Sequence, residues 1–173
     1  RQGIAIALEH RAAELFLFAG RAHWDASVEE GRVTALQWSG LHRTGAESAK
    51  RDLLSAAEWG MMIQRRIGAA LRLGAAWQEA LYSRPLAPDS ALENLYRFAG
   101  GRNWNGSLEA RLILKNATTF AEWARSRSGG SALECGVIMQ AKRVEGVVLL
   151  RSSSAEYHRL LGSDSEEPRN ETG

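Results

Sequence analysis

The chain has 173 residues, a formal charge of +2 from 22 basic and 20 acidic side chains, and 45% hydrophobic and 24% charged residues. That is one ordinary domain's worth of sequence, long enough to bury about two-thirds of its unfolded surface without staples, which excludes collagen, bulk disorder and a disulfide scaffold. The single cysteine, Cys135, allows no internal disulfide and points to a cytoplasmic or other reducing compartment; no apolar run reaches the ~18 residues of a membrane helix, so no membrane partner is expected.

In chain order, residues 3–19 read as a helix, because Ile4, Leu8, Leu15 and Phe18 recur near helical spacing and Gly20 offers a stop. Residues 32–40 read as a strand. From 46 to 83 the apolar stripe of Leu53, Leu54, Ala57, Met61, Met62, Ile67, Leu71, Trp77 and Leu81 predicts one long helix, or two broken near Gly74. Pro85 and Pro88 mark a connector, and Ser90 with Glu93 forms a capping-box signature for a helix ending at Ala99. Residues 107–115 alternate, with Leu108, Ala110, Leu112 and Leu114 opposite Glu109 and Arg111, and predict a strand; 117–125 reads as a short helix. Residues 135–141 and 144–151 predict a hairpin with Lys142 and Arg143 near its turn. A last helix over 154–161 and a polar Ser/Glu tail complete the chain. The fold expected is α+β: a helix-rich single domain over 1–152 with a small antiparallel sheet, followed by the short helix and acidic tail of 153–173.

An internal similarity runs through this pattern. Phe18-Ala19-Gly20 precedes Arg21, Trp24, Ser27 and Glu29; Phe98-Ala99-Gly100 precedes Arg102, Trp104, Ser107 and Glu109; and Ala57-Glu58-Trp59 matches Ala121-Glu122-Trp123. A pseudo-duplication of a helix–strand–helix unit, with halves 3–83 and 89–152, stands beside coincidence as its explanation. Each Trp would be a large buried anchor.

Few residues carry chemistry. His10, His23, His42 and His158 have no metal-ligand spacing, no phosphate-binding glycine loop occurs, and Cys135 reads as a small hydrophobe, so no metal and no cofactor is expected. Catalysis would need Asp25, Glu29 or Glu109 to converge with a histidine, and no spacing shows that. Charge is uneven: 153–173 holds five acids against two arginines, −3, which leaves +5 on the rest. Arginines, unlike lysines, grip phosphate bidentately. Arg21, Arg65, Arg66, Arg72, Arg102, Arg125, Arg127, Lys142 and Arg143, with Trp104 to stack on bases, therefore make the candidate nucleic-acid-binding set. The function expected is a non-catalytic binding subunit contacting nucleic-acid phosphates within a larger assembly. The alternative is a structural or adaptor protein that oligomerises or docks a protein partner through the apolar face of helix 46–83, with Met61, Met62 and Trp77 at the interface.

Overall fold

The computed structural model describes residues 2–37, 44–88, 97–141 and 144–158. Of these, 76% are strand and 3% helical, so the helix-rich α+β expectation is wrong. The elements are β1 (Gln2–His10), β2 (Ala13–Glu29), β3 (Arg32–Gln37), α1 (Gly45–Ser48), β4 (Leu54–Ile67), β5 (Leu71–Leu86), β6 (Gly100–Ile113), β7 (Ala117–Ser126), β8 (Ser131–Ala141) and β9 (Val144–Ser153). The predicted helix 3–19 is the β1–β2 hairpin, the predicted helix 46–83 is mostly the β4–β5 hairpin, and 117–125 lies in β7. The strand expected at 32–40 is present over 32–37 as β3, with 38–40 outside the described residues; that expected at 107–115 is present to Ile113 within β6, and the 135–151 hairpin is β8–β9. Residues 154–158 are turn and coil rather than helix. The capping box at 90–93 and the tail beyond 158 lie outside the described residues.

The physical reason for the main error lies in β4 and β5. Trp59, Met61 and Ile63 alternate with Glu58, Gly60, Met62 and Gln64, a period of two that places the chain across a sheet. Glycines that would weaken a helix here serve the sheet. Gly60 lies directly opposite Phe18, and a Cβ there would meet the Phe18 ring at 2.6 Å. Gly136 is covered in the same way by Phe120, at 2.8 Å. Turns are tight: Glu30 and Gly31, at φ 49° and 77°, have the positive φ at both central positions that a two-residue type I′ hairpin requires. The short α1 is capped by Thr44, which accepts from Glu47 N while the Glu47 carboxylate accepts from Thr44 N.

The backbone is an antiparallel meander in the order β1–β2–β4–β5–β6–β7–β8–β9. β3 departs from it. It pairs with the far end of β2 and, through Val33 and Leu86, with β5 in parallel, so β2, β4, β5 and β3 form a closed circuit. Inside that circuit lies the core: Ala22, Trp24, Ala26, Val33, Leu54, Ala56, Ala80, Tyr82 and Leu86, with Phe98 packed against it. Among the described residues the sheet beyond the core is one layer thick.

The turns opposite this core climb the sheet in equal steps. The β1–β2 pairing ends at His10–Ala13, and Ala13 opposes Arg65. β4 runs two residues further, to Ile67 opposite Leu71, and Leu71 opposes Leu112. Leu114, two residues on, donates to Ala117 O, Ala117 opposes Met139, and β8 ends two residues beyond, at Ala141. A two-residue step per hairpin is ~6.6 Å of rise over two strand spacings of ~4.8 Å each. The turns therefore fall on one level only if the strands incline by about 35°, at the low edge of the tilt of closed and membrane-spanning barrels.

Candidate functional site

Directly opposed residues in a sheet share a face, so the register sorts every described side chain in the meander. One face carries Ile4, Ile6 and Leu8 of β1, opposite Ala19, Leu17 and Leu15 of β2, then Ile63, Met61 and Trp59 of β4. It continues through Leu73 and Trp77 of β5, Leu108 and Leu112 of β6, Trp123 of β7, Leu133 and Val137 of β8, and Val148 and Leu150 of β9. Most are exposed: Ile4 is 68%, Leu108 59% and Val148 59% accessible. A folded monomer in water rarely shows a contiguous apolar patch above a few hundred Å². This one crosses eight strands.

The apolar face is banded. Once the stagger is followed, Trp59, Trp77 and Trp123 fall within one residue step of each other, and Arg21, Glu79 and Arg125 share the next level towards the core end. From there to the opposite turns, the described residues on this face are nearly all Ile, Leu, Val, Met, Ala, Gly, Cys or Trp; the exceptions include Thr119, Gln2 beside the rim, and the turn-proximal His10 and Arg65. Along β4, Trp59 to Ile67 spans about 26 Å at ~3.3 Å per residue. Inclined by about 35°, this gives an apolar height of about 22 Å, against the ~25 Å outer band of membrane β-barrels. At the charged rim Glu79 is 2% exposed and accepts from Arg102 Nε. Trp104 stacks on Trp77 at 4.5 Å between ring centroids.

The other face is the more polar one, although Met62, Ile113, Val147 and Leu149 lie exposed on it. One row of directly opposed residues crosses all eight strands as Glu9, Glu14, Gln64, Gly74, Glu109, Glu122, Glu134 and Arg151. Within it Gln64 Nε2 donates to Glu109 Oε1 at 2.5 Å across Gly74, and Arg151 Nε pairs with Glu134 at 3.1 Å. At the core end this face is filled by the core and by 154–158. Ser126 is 1% exposed; its Oγ accepts from His158 N at 3.2 Å and lies 3.3 Å from Glu156 O. Asn103 Nδ2 donates to His158 O at 3.4 Å.

The residues chosen from sequence do not assemble into one basic surface. Arg65 sits at the turn end of the apolar face, Arg66 and Arg72 on the polar face, and Arg21, Arg102 and Arg125 at the core-end rim of the apolar face. Arg21 opposes Ala57, eight residues along β4 from Arg65, about 26 Å away at ~3.3 Å per residue. Arg127 lies in the β7–β8 turn and donates to Arg102 O. Lys142 and Arg143 lie outside the described residues. Trp104 spends its ring on Trp77 rather than standing free for a base. Met61 and Trp77 are directly opposed on the apolar face, but strand alternation turns Met62 to the polar one. Ala-Glu-Trp places its Glu on the polar face and its Trp near one level of the apolar face in both β4 and β7; Phe18-Ala19-Gly20 is mid-strand, so Gly20 stops no helix.

What the sequence reading missed was the agreement between neighbouring alternations, each of which is short. The described residues hold no group of three His, Cys, Asp or Glu placed to bind a metal, and no helix among them is long and apolar enough to cross a membrane. No protein-family model matches the chain, and neither a curated protein nor a solved structure matches it.

Proposed function

We propose that this chain forms part or all of the wall of a transmembrane β-barrel, with the Ile4–Leu150 band against lipid and the glutamate-bearing face towards water. The observation that carries the reading is the band itself: an apolar face about 22 Å high, edged on its core side by tryptophans and then by charges, on strands staggered for a tilt of about 35°. Lipid is the one solvent in which a single-layer sheet needs no second layer on its apolar side, because its backbone groups are paired strand to strand. A water-soluble module would instead leave the band bare. The absence of an ~18-residue apolar run, which argued against a membrane partner, is a criterion for helices; strands cross with about ten alternating residues. The same reading moves the chain from a reducing interior to a membrane built with β-barrels.

The nucleic-acid reading and the adaptor reading both fare less well. The first needs one basic surface and the arginines occupy two faces and two ends. The second rests on the 46–83 face, whose apolar residues continue into a band on every strand of the meander. The test is insertion. Diluted from urea into phosphatidylcholine vesicles, the chain is expected to float with lipid through an alkaline wash. A monodisperse particle in detergent-free buffer that stays at the bottom of the gradient would overturn the proposal.

A further inference from the structure

On the polar face, towards the turn end, Arg66 directly opposes Arg72 and Arg72 directly opposes Arg111. Three guanidinium groups thus share one row across β4, β5 and β6, and all three residues are exposed. Like charges directly opposite each other destabilise a sheet, so such a row calls for a counter-charge. Among the described residues none of the three arginines has an ion pair. The nearest carboxylate on the same strand face, Glu109, stands two residues from Arg111 and is engaged by Gln64. The row is held in place from the backbone, where Arg66 N donates to Ala12 O at 2.7 Å beside the β1–β2 turn, and Phe120 flanks Arg111 on β7.

We infer that Arg66, Arg72 and Arg111 form a binding site for an oligophosphate group, at the open end of the polar face. Each guanidinium presents a planar fork that matches phosphate oxygens bidentately. The row spans two strand spacings, about 10 Å, the reach of a short chain of linked phosphates rather than of a single one. The opposite end of this face is filled by the core and by 154–158, so the arginines stand at its only uncovered end among the described residues. The inference rests on the membrane reading only for which side of the sheet water occupies; the row itself follows from the register.

The phosphates come either from a soluble molecule or from a lipid headgroup, and two arms separate these. In the first, sodium tripolyphosphate is titrated calorimetrically into the chain in zwitterionic micelles. In the second, flotation with phosphatidylcholine vesicles is compared with and without one-tenth diacylglycerol pyrophosphate, a lipid with two linked phosphates. Arg72→Gln is expected to weaken tripolyphosphate binding at least tenfold, or to abolish the gain from the pyrophosphate lipid, while Arg125→Gln at the far rim changes neither by more than twofold. A response in either arm that depends on Arg72 supports the site and names its source. No response in both arms, or equal losses from Arg72→Gln and Arg125→Gln, overturns it. Arg111→Gln repeats the measurement should Arg72→Gln fail to fold. Flotation with pure phosphatidylcholine reports the membrane reading separately, since it does not depend on the arginine row.

Discussion

The two ends of the sheet solve the burial problem differently. At the core end, β3 folds back across β2 and β5, and residues 154–158 dock on Ser126 and Asn103, so a conventional interior forms around Leu54, Trp24 and Tyr82. Among the described residues the turn end has no second layer, and Ile4, Met61, Leu108 and Val148 stand exposed on one side. Protein covers the first set; no described residue covers the second, and that is the surface the proposed bilayer would cover.

Substitutions break that comparison in order of size. Leu54→Ala, at 0% exposure inside the closed circuit, should cost about 2–5 kcal/mol of stability in a urea titration, whether in micelles or vesicles. Leu108→Arg, at mid-band, should cost about 2–4 kcal/mol in vesicles, whereas the neighbouring Ser107→Arg on the polar face should cost less than about 1 kcal/mol. Equal costs for the two would erase the distinction between faces. Ser126→Ala removes the hydroxyl that holds 154–158 and should cost about 1–3 kcal/mol; hydrogen exchange should then show faster exchange at His158 N and little change in β1. Arg151→Gln removes an ion pair whose partners are 46% and 40% exposed, and should cost at most about 1 kcal/mol.

How much of this was legible depends on the period each segment carries. The β6 alternation read correctly because its pattern of two is clean over residues 107–112, and the β8–β9 hairpin because both arms are rich in strand-favouring apolar residues, four of them in a row at 147–150. β4 and β5 misled because Met61-Met62, Leu53-Leu54 and the Ala-rich stretch 75–80 mimic a helical stripe when both strands are read as one segment; Gly68, at φ 62°, is the turn that divides them. The band was illegible for a different reason. Its residues come from eight strands, and only the register shows that Trp59 and Trp123 share a level. Neither composition nor spacing within one segment encodes that. The arginines were noticed, but without the pairing nothing separates Arg65, on the apolar face, from Arg66, on the polar one.

Cys135 offers the most direct test of the central claim. It is the chain's one cysteine, lies on the apolar face opposite Ala121 and Leu150, and sits within the band. Labelled with an environment-sensitive fluorophore in phosphatidylcholine vesicles, it should emit as from hydrocarbon and be quenched by lipid-borne doxyl groups but not by aqueous iodide. The same label on Glu134→Cys, in a Cys135→Ser background, should show the reverse. Iodide quenching at both positions, with no effect of the doxyl lipids, would contradict the account.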